Sequence, residues 1–164
     1  MGILVLLVLS SCVIPPSLSV DNQDAGINSP PAILAVRSDQ SELPEPGPVV
    51  FARGEGSLNV QLIDTDLLDT LYVRVFVNYT IDDPKPPRST CTAPPPQTAS
   101  ATRNVTCDLT ALCSMTDVGL DEHDMTVVVF DRQPLESGSP PFQAMPEGGL
   151  STGKFFHLKC QEGS

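Results

Sequence analysis

Asp64, Asp66 and Asp69 crowd a short stretch between two apolar runs, and Asp131 stands at the end of another. Hard carboxylate oxygens gathered by a turn and a neighbouring strand end form the kind of donor set that Ca2+ takes, so these four residues are the candidate metal ligands. The turn lacks the regular Asp-x-Asp-x-Asp-Gly spacing of an EF-hand loop, and Arg132 adjoins Asp131 as a counter-charge. Asx-turn hydrogen bonding and an ion pair account for the same residues. Of the two histidines, His123 lies in the run DEHD and reads as part of a solvated loop, and His157 reads as an outward-facing residue beside Phe155 and Lys159. No serine elbow, phosphate loop, zinc-protease helix or dinucleotide glycine turn is present, so no catalytic residue is assigned and the expectation is a protein that is not an enzyme. Asp82 and Asp83 read as solvated loop acids.

Twenty acidic side chains against nine basic ones give a net charge of -11, which repels nucleic-acid phosphates and excludes a nucleic-acid partner. Residues 1–11, MGILVLLVLSS, form an apolar run shorter than the roughly 20 residues that span a bilayer, and read as a signal-peptide core. No basic residue precedes the run, which a start assigned too far downstream accounts for. The run ends in Leu9-Ser10-Ser11-Cys12, which resembles the lipobox of bacterial lipoprotein precursors. That resemblance implies cleavage before Cys12, lipidation of its sulfur and of the new amino terminus, and a membrane as partner through that anchor. With Val13 rather than Asp after the cysteine, it points to the outer membrane; an ordinary secretory signal and a secreted protein are the alternative. Setting Cys12 aside leaves Cys91, Cys107, Cys113 and Cys160, an even number for two disulfides in an exported chain.

The elements that would position these residues are legible from periodicity. All 17 prolines fall within 15–48, 84–96 and 134–146, so the intervening segments are the candidate ordered elements. Residues 13–28 mix Pro, Ser, Asp, Asn and Gly without periodicity, the composition of a solvated tether. Strands are predicted at 32–37, 58–63, 71–79, near 91, 104–109, 124–131 and 154–160, with 49–52 an edge continuation of the first and 110–114 long enough for one helical turn. In 71–79 the odd positions Leu71 to Tyr79 face one way and Tyr72, Arg74, Phe76 and Asn78 the other. The run DMTVVVFD is apolar on both faces, as a central strand requires. The loop 133–153 carries Phe142 and Met145, either as a contact patch or folded back over the strands. Asn78-Tyr-Thr and Asn104-Val-Thr match the glycosylation pattern and bear on the protein only in a eukaryotic source.

About seven short strands with alternation and no convincing helix predict an all-β fold, an antiparallel β-sandwich of immunoglobulin-like type. The segment from Asn28-Ser-Pro-Pro through the acidic turn to Leu71-Tyr72 resembles bacterial immunoglobulin-like and cadherin-like surface modules. Arranged in that way, Asp131 joins the acidic turn at one pole. Cys113 and Cys160 meet at the other, which leaves Cys91 to pair with Cys107 and staple the Pro-rich loop. The expected organisation is a signal at 1–11, a lipid-anchored tether at 12–28 and one sandwich domain at 29–164. The expected function is a non-enzymatic interaction or structural module of the cell envelope with an unidentified protein or envelope partner. The alternative is a Ca2+-dependent ligand-binding module.

Overall fold

A computed structural model describes residues 28–39, 41–119 and 122–163. Cys12, with the apolar run before it and the tether up to residue 27, lies outside the described residues. Eight strands run in order as β1 (Ala32–Arg37), β2 (Val49–Ala52), β3 (Ser57–Ile63), β4 (Leu71–Val77), β5 (Ser89–Ala93), β6 (Thr102–Asp108), β7 (His123–Phe130) and β8 (Ser151–Gln161). They form two sheets, of order β1-β3-β6 and β2-β8-β7-β4-β5. The fold is all-β, as expected.

Alternation drives this arrangement. Leu58, Val60 and Leu62 of β3 are fully buried between half-exposed neighbours, and across the interior they share one apolar cluster with Leu71, Val73, Val75 and Val77 of β4 and Phe156 and Leu158 of β8. Each such fully buried side chain contributes about 1.5–3 kcal/mol relative to an exposed one. The apolar run read at 124–131 forms most of β7, flanked by β4 and β8, with Met125, Val127 and Val129 facing the interior and Val128 and Phe130 the other side.

Three expectations are corrected. Residues 49–52 do form an edge strand, yet not as a continuation of β1: β2 leaves the sheet of β1 and pairs parallel with β8, Val49 opposite Leu158, so the sheets are not wholly antiparallel. Prolines at 44, 46 and 48 stop β1 from running on and leave the next extended stretch to find a different neighbour. The stretch 110–114 makes turns rather than a helix, with Leu112 N–H bonded to the Leu109 carbonyl. Tyr79 does not continue the inward series of β4. Asn78 adopts a left-handed φ of 51°, which Asn tolerates better than most residues, and Tyr79 is turned onto the outer cluster, its ring 5.0 Å from that of Phe76.

Two disulfides cross-link the sheets and loops. Cys91 of β5 joins Cys107 of β6, linking the facing edges of the two sheets, and Cys113 joins Cys160 near the end of β8, with Cα separations of 5.1 and 5.7 Å. This is the pairing expected from the sequence. Such bonds persist in oxidising surroundings, so the chain belongs to an extracytoplasmic compartment. Among the described residues no helix is long and apolar enough to cross a membrane.

Candidate functional site

The acidic turn between β3 and β4 closes around a residue that sequence reasoning passed over, Arg103. Asp64, 2% exposed, follows β3 directly, and its Oδ1 accepts the Asp66 N–H at 3.0 Å in an Asx turn. Arg103, in β6, is buried and lies 3.9 Å from Asp64 Oδ2 through Nη2. Its guanidinium donates to the main-chain carbonyls of Asp66, at 3.0 Å, and of Asp69. The cation therefore sits inside the turn and holds its backbone as well as facing its charge. Asp64 Oδ2 and Arg103 Nε have no hydrogen-bond partner among the described residues.

Of the other three carboxylates, those of Asp66 and Asp131 are engaged elsewhere. Asp66 Oδ2 accepts the Ser29 N–H at 2.9 Å. Asp131 accepts the Leu150 N–H at 2.8 Å on Oδ1 and the Asn28 side-chain amide on Oδ2. Asp69 feels the charges of both Asp66 and Asp131, so the acidic turn and the end of β7 lie near one another. Among the described residues, however, no three His, Cys, Asp or Glu side chains are placed to hold a metal ion. A guanidinium supplies the positive charge there instead. Arg132, the counter-charge suggested by sequence, is exposed and acts on Asp69 only as a neighbouring charge. Burial pushes the Asp64 carboxyl above its ordinary range, with the Asp66 N–H and Arg103 opposing. Burial also raises Asp69, reinforced by Asp66 and Asp131. A signal for Arg103 did exist: it shares the inward parity of Val105, Cys107 and Leu109, and a cation in that series requires a buried acceptor.

At the opposite pole the reading of His123 is corrected. It is the first residue of β7 and only 5% exposed. Asn78 Oδ1 accepts the Asp124 N–H at 2.9 Å, so its amide nitrogen donates to His123 Nδ1 at 2.8 Å, and His123 Nε2–H donates to the Asp117 carbonyl at 3.0 Å. The imidazole is a structural link between the start of β7, the end of β4 and the β6–β7 connection. The same bonds engage the Asn78 amide of the first glycosylation match, whereas Asn104 of the second is exposed on β6. Burial pushes Asp117 up, but hydrogen bonds from the Ser114 hydroxyl (2.6 Å) and N–H (2.7 Å), with Arg88 at 3.1 Å, outweigh it and hold the carboxyl below its ordinary range. His157 is half-exposed beside Phe155, as expected, and lies 3.6 Å from Glu122. Asp82 and Asp83 are exposed.

The long β7–β8 connection folds back over the outer face of the five-stranded sheet. Phe142 and Met145, like Tyr72 and Tyr79, pack against the cluster of Phe76, Val128 and Phe130. Tyr79 Oη donates to the Pro141 carbonyl at 2.8 Å. Arg74, 8% exposed, donates to the Phe142 carbonyl at 2.6 Å and pairs with Glu136 at 3.3 Å. No protein-family model and no curated protein matches this chain.

Proposed function

We propose that this protein is a non-enzymatic envelope lipoprotein, an immunoglobulin-like interaction or structural module carried on a membrane-anchored tether. The observation that carries the reading is Cys12: it ends an apolar run in a lipobox-like Leu-Ser-Ser-Cys, and the other four cysteines are all paired with one another. An immunoglobulin-like lineage for the sandwich is supported by the order β1-β3-β6 against β8-β7-β4, with a further strand added beside β4 as in variable-type domains. Several acyl chains at Cys12 would anchor stably, since each buried CH2 contributes about 0.8 kcal/mol. Asn28 is tied to Asp131 and to the Gly148 carbonyl, so a tether reaching Cys12 departs from the acidic pole. On this reading that pole faces an anionic membrane, whose charge holds the domain off the surface. Mass spectrometry of the mature amino terminus tests the anchor. The expected species begins at a triacylated Cys12, and an unmodified peptide beginning downstream of it overturns the reading.

A Ca2+-dependent module is the alternative, and the guanidinium of Arg103 inside the acidic turn weighs against it. A ligand bound only by the folded state raises the melting midpoint. Melts in millimolar Ca2+ and in EDTA are expected to coincide, and a midpoint raised by Ca2+ and lost in Asp66→Asn would restore the alternative.

A further inference from the structure

An open groove of about 440 Å3 lies on the outer face of the five-stranded sheet, where β4 and the edge strand β5 meet the start of the β7–β8 connection. Its floor is built by cross-strand pairs, Tyr72 opposite Thr92 and Arg74 opposite Thr90, and its wall by Gln133 and Glu136. The volume falls in the range of about 300–1,000 Å3 typical of small-molecule sites. Thr90 and Thr92 are exposed, whereas Ser89 and Ala93 of the same strand are buried, so the alternation of β5 presents both hydroxyls outward.

The chemistry of the lining selects the ligand. The hydroxyls of Tyr72, Thr90 and Thr92 and the amide of Gln133 make no hydrogen bond to another described residue. Each hydroxyl both donates and accepts, and the amide offers one acceptor and two donors. The charged groups are already satisfied: Arg74 is bound to Glu136 and to the Phe142 carbonyl, so the groove holds no unpaired cation for an anionic ligand. The half-buried Tyr72 ring adds apolar surface beside the hydroxyls. Neutral groups that donate and accept, next to an aromatic ring, match a neutral polyhydroxylated ligand.

We infer that this groove binds a neutral saccharide, one or two sugar units of a glycan, with Thr90, Thr92, Tyr72 and Gln133 as its hydrogen-bonding residues. The inference rests on the domain being a binding module rather than an enzyme, and it supplies the class of partner; it does not depend on the anchor at Cys12.

The test uses the full-length oxidised protein, labelled for NMR and titrated with methyl α-D-glucoside, methyl β-D-galactoside and N,N′-diacetylchitobiose, with galacturonic acid as the charged comparator. At least one neutral probe is expected to shift amide signals at 72–74, 90–92 and 133–136 with a Kd of about 1 mM, the strength of a single shallow site. Thr90→Val/Thr92→Val is expected to weaken that binding about tenfold or more while retaining the wild-type melting midpoint, because both positions are exposed on a strand and Val favours strands. Gln133→Ala, in the loop, provides the same reading should the double variant fail to fold. No shift with any neutral probe, tighter binding of galacturonic acid, or unchanged binding by both variants overturns the inference. The mass of the amino terminus is unaffected by any of these results, so failure here is distinguishable from failure of the anchor.

Discussion

Arg103 and Asp117 show how single side chains fix the two poles. Removing a buried Arg while its partners remain leaves Asp64 as an uncompensated buried carboxylate and strips the Asp66 and Asp69 carbonyls of their donor. Arg103→Met is therefore expected to cost about 3 kcal/mol in urea unfolding, and Asp64→Asn in the same background to recover part of it. Asp117 carries the opposite linkage sign from Asp64 and Asp69. Its folded pKa is lowered, so its contribution is fully present above the unfolded value of 3.8 and is lost as pH falls through the lowered one. Asp64 and Asp69 are raised, so between 3.8 and their folded values the native chain binds more protons than the unfolded one, and these two favour folding toward acid. Unfolding free energies from pH 7 to 2 are expected to drop mainly below about pH 4. Asp117→Asn should be less stable at neutral pH and show a shallower acid limb; an unchanged limb would refute the assignment.

Among the elements, the β7–β8 connection most changes the character of the sheet it crosses. An outer sheet face carrying Phe76, Val128 and Phe130 would be an exposed apolar patch, and residues 134–146 cover it. Phe142, with a left-handed φ of 62°, packs its ring on that patch while its carbonyl meets Arg74. Phe142→Ala is expected to cost about 2–3 kcal/mol, less than a fully buried Phe because the ring is only half-buried. It should also raise amide exchange across 134–146 before the β7 core exchanges; uniform exchange would mean that the loop and sheet open together. The alternation of β4 is what makes two-sided burial work, since odd positions fill the interior and Tyr72 and Phe76 serve the outer layer.

For the whole molecule, the disulfides close loops of different length. The Cys113–Cys160 bond spans 47 residues and the Cys91–Cys107 bond 16. Loop-closure entropy then assigns about 4 kcal/mol to the first and about 3 kcal/mol to the second. Paired Cys→Ser variants should rank in that order in denaturant midpoint, and the reverse order would show that enthalpy and packing around β5, rather than chain entropy, dominate. Stability of this size matters to an all-β fold whose aromatic content is only 5%.

Periodicity and composition by themselves determined the all-β class, the approximate place of most strands, the central character of the run at 124–131 and the two disulfides, because alternation and cysteine parity are local properties of a chain. The acidic turn was also legible as a cluster. What fills it was not, for Arg103 lies more than thirty positions away and reaches Asp66 and Asp69 only because β6 pairs with β3. The same holds for His123, whose burial depends on Asn78 and Asp117 arriving from two other connections, and for β2, whose partner β8 lies over a hundred residues downstream. The groove over β4 and β5 is of this kind as well: its hydroxyls come from one hairpin and its wall from a distant loop. Which face a residue occupies follows from its neighbours in sequence, while what meets it there follows from strand pairing, which only the folded chain decides.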